Sequence, residues 1–227
     1  REEWLKLRRN GIGGSDAAAI IGLNPYSSAF QVYCDKVGLL PETEDNEAMR
    51  QGRDFEAYVA ERFEEAAEKR RCNNIITNPA YPFMLANVDR LVVGEKAGLE
   101  CKTTSVFNKA DFESGDVPPQ YYVQCQHYMA VTGYKKWYLA VLVLNRGFYW
   151  YEIPYNEDDV SVLVDAEREF WENYVVPHKE PVPDGSPKAA EAIRQLYGHG
   201  DDDITVGLYG YDNDLARYDE IDVLRKK

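Results

Sequence analysis

The stretch "GLECKTT", residues 98–104, puts a carboxylate and an amine two residues apart. On a β-strand residues i and i+2 point to the same face, so Glu100 and Lys102 are expected side by side. Upstream, "MLANVDRLVV" (84–93) is rich in β-formers at Leu85, Val88, Leu91, Val92 and Val93, and "GEKAG" (94–98) carries glycine at both ends, as a hairpin loop does. Asp89 then falls on the first strand of the hairpin, and Glu100 and Lys102 on the second. A solvated Glu–Lys pair is the plain alternative, and E-x-K alone has little specificity. The apolar setting argues otherwise. A buried acid is costly without a partner, and two facing acids repel and rise in pKa unless a cation intervenes.

Asp89 followed eleven residues later by Glu100-x-Lys102 has the sequence form of a restriction-endonuclease-like nuclease centre. Phosphodiesters resist attack because their anionic oxygens repel a nucleophile. Mg²⁺ neutralises that charge, activates a water and steadies the leaving oxygen. It prefers hard oxygen ligands and keeps several waters, so Asp89, Glu100 and the backbone carbonyl of Cys101 suffice to hold it. Lys102 would hold the attacking water and offset charge on the phosphate. Glu56, in "GRDFEAYVAERF" (52–63), is a third candidate acid. Its helix is otherwise acidic at Glu61, Glu64, Glu65 and Glu68, which reads as a solvated face.

The totals narrow the class. Of 227 residues 44% are apolar, enough for a sizeable core. The longest apolar runs, such as "YLAVLVL" (138–144), fall short of the roughly 18–20 residues of a membrane span. "REEWLKLRRN" has no signal-peptide core, so a cytoplasmic protein without a membrane partner is expected. Cys34, Cys72, Cys101 and Cys125 lack zinc spacing and read as free thiols. His127, His178 and His199 are isolated, which leaves catalysis to carboxylates. The net charge of −13 taken alone argues against a nucleic-acid partner. A DNA-binding reading therefore needs basic residues segregated into one groove.

The order of elements is helices, a hairpin, a helix, a hairpin and a helix. "GSDAAAIIG" (14–22) reads as a short helix with Ser15 as N-cap and Gly22 as the stop. "SSAFQVYCDKVGLL" (27–40) reads as a second. A long amphipathic helix is expected from about 46 to 70, its apolar side marked by Met49, Phe55, Tyr58, Val59 and Phe63. "VPPQYYVQCQHYMAVTG" (117–133) is a helix opened by prolines and closed by Gly133. "KKWYLAVLVL" and "FYWYEIPY" are strands joined by "NRG", and a last core helix covers 156–176. The fold class is α/β (α+β), a central mixed β-sheet flanked by helices. Residues 1–176 form the expected catalytic domain. Residues 177–227 form a proline-rich linker, "VPHKEPVPDGSP", and an acidic C-terminal appendage with one short helix.

Two further signals bear on function. In "WLKLRRNGIGGSDAAAI" (4–20), Gly13 and Gly14 permit close backbone approach, and a helix N-terminus favours an anion. Arg8 and Arg9 lie upstream, able to fork onto a phosphate. In "QYYVQCQHYM" (120–129), Tyr121, Gln124 and Tyr128 share one helical face. Gln120 and Gln124 are hard to explain by packing alone, since a buried amide needs partners.

These pieces together resemble the YqaJ-type viral recombinase nucleases, the family that includes the exonuclease of bacteriophage lambda. The resemblance runs through Trp4, Arg8 and Ser15, "GRDFE" ending on Glu56, "NVDRL" with Asp89, "LECKTT" with Glu100 and Lys102, and "YYVQCQHYM" with Gln124. It covers residues 4–175. It implies a PD-(D/E)XK core with a restriction-endonuclease-like fold, two Mg²⁺ ions (Mn²⁺ as a substitute), and processive 5′→3′ digestion of one strand of duplex DNA from an end. It implies a homotrimer and a single-strand annealing recombinase as partner, in a bacterial host cell carrying a phage or prophage. By resemblance, Asp89, Glu100 and Cys101 bind metal, Glu56 binds the second ion or its waters, and Lys102 and Gln124 hold and orient the attacking water. Arg8, Ser15 and Asn87 fall to the 5′-phosphate. Asn87 replaces a phosphate-contacting hydroxyl of the lambda enzyme, and Val88 replaces the usual proline. Rival readings are a sequence- or structure-specific endonuclease and a non-catalytic DNA-end-binding protein. An iron–sulfur exonuclease would need four clustered cysteines.

Overall fold

The computed structural model describes residues 7–41, 45–63, 69–71, 75–105, 112, 115–198, 210 and 212–225; Trp4, Glu64, Glu65, Glu68, Cys72 and His199 lie outside them. The chain forms two compact units, Arg1–Leu196 and Tyr197–Lys227.

The first unit is built on two sheets. One has the order β1-β4-β3: β1 (Ile12–Gly13) runs parallel to β4 (Tyr81–Ala86), which pairs antiparallel with β3 (Ile76–Asn78). The other has the order β2-β5-β6-β7-β8, from β2 (Lys69–Arg71), β5 (Arg90–Val92), β6 (Ala97–Thr104), β7 (Lys136–Val143) and β8 (Gly147–Pro154). Its pairs are antiparallel except β6–β7. Parallel neighbours need a crossover, and α4 (Pro119–Thr132) supplies it.

The expected strand "MLANVDRLVV" is two strands. It breaks at Asn87–Asp89, where the chain leaves one sheet for the other. Asp89 bridges the break: its Oδ2 accepts from the Cys101 N–H at 2.8 Å, so a side chain takes over where the backbone ladder stops. The helix expected to reach residue 70 ends earlier, as α3 (Glu47–Phe63), and Lys69–Arg71 pair with β5 instead. Of its expected apolar markers, Val59 and Phe63 are buried, whereas Met49 and Tyr58 are exposed.

Strand β6 is covered on both faces, as a central strand with a parallel neighbour must be. Leu99 and Cys101 pack on Val59, Ala60 and Phe63 of α3. Glu100, Lys102 and Thr104 point to the other face, beneath α4. That helix is buried nearly all round from Val123 to Val131, and its buried polar groups are paired. Gln126 donates to the Pro154 carbonyl at 2.8 Å and accepts from the Asn156 N–H at 3.1 Å. Its C-terminus closes on Gly133 with φ 73°, a left-handed position suited to glycine.

Helix α1 (Gly14–Ile20) is capped at Gly13, not at the expected Ser15. The Asp16 carboxylate folds back to accept from the Gly13 N–H at 3.0 Å, which puts Ser15 inside the first turn. Helix α2 (Ala29–Val37) starts at Ser28, whose Oγ accepts from Gln31 N–H, and ends on Gly38. Helix α5 (Glu157–Phe170) is capped by Asn156 and runs into a π-helical turn, Trp171–Val175.

After the proline-rich stretch, α6 (Pro187–Tyr197) buries Ala189 and Ala192 completely in the main core. The first compact unit thus continues beyond the division expected at residue 176. The second unit contains α7 (Asp212–Arg225), which has no buried residue. Among the described residues Cys34, Cys101 and Cys125 are buried free thiols, and no helix is long and apolar enough to cross a membrane.

Gly98 faces Trp137 across the β6–β7 register, and a Cβ there would lie 2.2 Å from the indole of a fully buried tryptophan. Gly98→Ala is expected to cost about 1–3 kcal/mol through overpacking. Urea denaturation measures this, and an unchanged midpoint would show that the ring moves aside freely.

Candidate active site

The break before β5, the middle of β6 and the inner face of α4 meet in a cleft lined by Asp89, Glu100, Lys102, Gln124 and Tyr128, with Arg8, Ser15 and Asn87 also on its wall. Of the expected site residues, Glu56 and Cys101 do not line it.

Glu100 is 4% exposed. Its Oε1 accepts from Lys102 Nζ at 2.7 Å and from Gln124 Nε2 at 2.7 Å. The same Gln124 nitrogen donates to the Tyr128 hydroxyl oxygen at 2.8 Å, which fixes the amide. Gln124 therefore has the partners a buried amide requires. Glu100 Oε2, by contrast, is buried with no hydrogen-bond partner among the described residues. Burial, then the neighbouring Glu100 charge, pushes the Asp89 carboxyl well above its usual range; Glu56 adds to this, while the Cys101 N–H and Lys102 oppose it. A buried oxygen without a donor beside a second carboxylate is a donor set suited to a hard divalent cation. Asp89, Glu100 and the Cys101 carbonyl would hold it.

Burial lowers the Lys102 pKa, but Glu100, the hydrogen bond to it and Asp89 together raise it above the ordinary lysine value. The acids thus favour its ammonium form, suited to holding a water or balancing charge. Its Nζ lies 5.1 Å from the centre of the Tyr121 ring, which adds a cation–π contact.

Glu56 does not line this cleft, although its charge acts on Asp89. It comes from α3, on the opposite face of the sheet, and its Oε1 takes a 2.6 Å ion pair from Arg90 Nη1. The same guanidinium nitrogen donates to the Asp89 carbonyl at 2.7 Å. Among the described residues, no group of three His, Cys, Asp or Glu side chains is arranged to hold a metal. The geometry supplies two carboxylates, with the third acid behind an arginine.

At the other end of the cleft, Arg8 Nη2 lies 3.2 Å from Asp16 Oδ1 and 3.4 Å from Ser15 Oγ. Arg9 does not join it. Its Nη1 points toward Gly38, within 3.9 Å of where a Cβ would sit. The expected attraction of an anion to the start of α1 is also reduced, because the Asp16 carboxylate already occupies that end.

Sequence reasoning missed Asp16 and Lys36. Lys36 reaches 20 residues back from α2 to place Nζ 2.7 Å from Asp16 Oδ2 and 3.0 Å from the Arg8 carbonyl. The available signal was a lysine on the apolar side of a helix. Also missed was His127, whose Nδ1 sits 2.8 Å from Glu167 Oε1 and whose Nε2 sits 3.0 Å from the Leu85 carbonyl, fully buried. Burial lowers the His127 pKa, but the Glu167 carboxylate raises it further, for a net upward shift.

A helix-flanked mixed sheet with an acid at its break and acid-x-lysine on the next strand is a restriction-endonuclease-like core. Comparison with known proteins agrees. Structures of LHK-Exo, an alkaline exonuclease from Laribacter hongkongensis, superpose with TM-scores of 0.67 (in complex with dAMP; 17% identity, 88% of this chain and 100% of that one) and 0.59 (20% identity, 78% and 97%). A phage-related exonuclease from Haemophilus somnus 129PT gives 0.53 at 14% identity, over 78% of this chain and 100% of that one. At these identities the likeness is one of fold. Residues 3–135 match the YqaJ-like viral recombinase domain. The uncharacterized protein YqaJ of Bacillus subtilis (strain 168) is 43% identical over 213 residues, 92% of this chain and 67% of that protein. The chain belongs to the YqaJ-like viral recombinase family.

Burial pushes the Asp16 pKa up, but Lys36, Arg8 and the Gly13 N–H outweigh it and hold the carboxyl at about 2, against 3.8 when unfolded. A depressed carboxyl stabilises the fold above its unfolded value and loses that contribution as pH falls from about 4 to 2. The size is about 2–3 kcal/mol. Asp16→Asn should remove this pH-dependent step and, by leaving Lys36 buried and unpaired, cost roughly 3–5 kcal/mol at neutral pH. Urea titrations from pH 2 to neutrality read both. Parallel pH profiles for variant and parent would refute the assignment.

Proposed function

We propose that this protein is a Mg²⁺-dependent exonuclease that degrades one strand of linear double-stranded DNA from its 5′ end, in recombination by single-strand annealing. The observation that carries this reading is the convergence of Asp89, Glu100, Lys102 and Gln124, with Glu100 Oε2 buried and bare. Membership of a viral recombinase family and the fold shared with two exonucleases point the same way.

When bound, the metal neutralises the phosphate and acidifies a water. Asp89, Glu100 and the Cys101 carbonyl bind it, and Mn²⁺ would suit the same oxygens. Lys102 holds the attacking water and balances charge on the phosphate. Gln124, fixed between Glu100 and Tyr128, offers its amide oxygen to orient that water. Glu56, tied to Arg90, acts on metal-bound waters or on a second ion. Arg8 and Ser15, with Asn87 on the same wall, take the 5′-phosphate. A homotrimer enclosing the duplex and an annealing recombinase that receives the exposed strand complete the proposal. Residues 177–227 remain the candidate contact for a neighbour or partner.

The decisive assay uses linear duplex labelled at 5′ or 3′ ends, with Mg²⁺ or chelator. Nucleotides should be released from 5′-phosphorylated ends, chelator should abolish release, and covalently closed circles should survive. Lys102→Ala should lower the rate by about 10²–10³-fold while DNA is still bound. Cutting of closed circles at the same rate would overturn the exonuclease in favour of an endonuclease. Duplex affinity should fall steeply with salt despite the acidic composition, because phosphate contacts release counterions. A flat salt response would remove the DNA groove.

A further inference from the structure

A second cleft, of about 390 Å³, opens beside the catalytic one, between the Pro25–Tyr26 turn and the start of α4. Thr104 lines it. That residue shares the β6 face of Glu100 and Lys102 and lies about 6.6 Å beyond Lys102 along the strand, at ~3.3 Å per residue. The cleft is therefore the continuation of the catalytic face, within reach of the nucleotide adjoining the one attacked. We propose that it is a nucleobase subsite in which Tyr26 stacks on a base of the bound strand, with Tyr121 as the opposite wall. The inference rests on the nuclease reading for the origin of the base, but not for its recognition.

Three observations support it. First, Tyr26 is 61% exposed, yet its backbone is held. Its N–H donates to Asn24 Oδ1 at 2.9 Å, and Asn24 Nδ2 donates to the Ser15 carbonyl at 3.2 Å. An exposed aromatic on a pinned turn offers contact area with little further ordering cost. The pin also joins it to the helix that carries Ser15.

Second, Tyr121 is set in place by two neighbours. Phe112 lies 6.4 Å from it at an interplanar angle of 20°, and Lys102 Nζ lies 5.1 Å from its ring centre. The catalytic ammonium and the proposed subsite thus share one aromatic ring.

Third, the polar groups in the cleft suit a base edge rather than a phosphate. Gln120 brings an amide donor and acceptor, Thr104 a hydroxyl and Asp116 a carboxylate, and no Lys or Arg is among the described lining residues. A base would meet aromatic faces and hydrogen-bonding edges, the combination by which single strands are read. Gln120, which packing alone does not explain, acquires a role.

The test uses a 5′-phosphorylated duplex with 2-aminopurine at the first or second nucleotide, in chelator so that nothing is hydrolysed. Binding to the parent chain should quench the fluorescence at one of these positions. Tyr26→Phe should quench equally, since stacking needs no hydroxyl. Tyr26→Ala should lose most of the quenching and bind about 5- to 100-fold more weakly. An abasic residue at the quenched position should bind parent and Tyr26→Ala alike. Equal quenching and affinity in parent and Tyr26→Ala would overturn the subsite, whether or not the protein cuts DNA. Loss of quenching in Tyr26→Ala, from a chain that hydrolyses nothing, would uphold the base site and overturn the nuclease.

Discussion

The half-satisfied carboxylate of Glu100 is the constraint on which the site depends. Burying an ionised carboxylate costs several kcal/mol unless it is paired and hydrogen-bonded. Lys102 and Gln124 meet that requirement at Oε1, and nothing among the described residues meets it at Oε2. A fold selected for stability alone would place an apolar residue there, as its neighbours Leu99 and Cys101 do on the opposite face. Asp89 aggravates the problem, since each acid raises the cost of ionising the other. Both persist on the wall of one cleft, which is understandable if a cation is part of the working molecule.

What the sequence revealed and what it concealed divide along the range of the interactions. The shared face of Glu100 and Lys102 was legible because strand periodicity fixes it locally. The crossover helix was legible from its prolines and Gly133. The break at Asn87–Asp89 was not. Leu85, Val88 and Leu91 read as one apolar run, and only the pairing of β4 with β1 and of β5 with β6 separates them. The early end of α3 was equally hidden, because Lys69–Arg71 carry no strand pattern and are held by pairing with β5. Asp16–Lys36 and His127–Glu167 lie 20 and 40 residues apart. No local pattern couples such pairs. The Glu56 motif was legible as a motif, yet its placement behind Arg90 depends on which face of the sheet α3 covers.

The basic charge needed for a DNA partner is likewise a matter of placement. The chain is acidic overall, but the cleft sets Arg8 at one end and Lys102 at the other. Both are held by acids: Asp16 fixes Arg8 and Glu100 fixes Lys102. An incoming phosphate would meet cations already oriented, at a smaller ordering cost than free side chains would demand. In the proposed nuclease the acids at the site would therefore aid phosphate recognition by positioning its cations, even as they reduce the net charge.

The separation of these two ends is set by packing at Gly14. A Cβ there would fall 2.7 Å from the Tyr128 ring and 2.9 Å from Gln124 Cγ. The "GIGGS" turn is thus read more economically as a close contact between α1 and α4 than as a backbone cradle for an anion. Helix α1 carries Ser15 and Asp16, the groups that hold Arg8; α4 carries Gln124, which meets Glu100. Any side chain at 14 would push the two helices apart and move Arg8 and Ser15 away from Glu100 and Gln124. Misplacement of reacting groups by an ångström is enough to cost about 10²-fold in rate. In the proposed nuclease, recognition of a strand end and attack on its linkage would be joined through one glycine that touches neither.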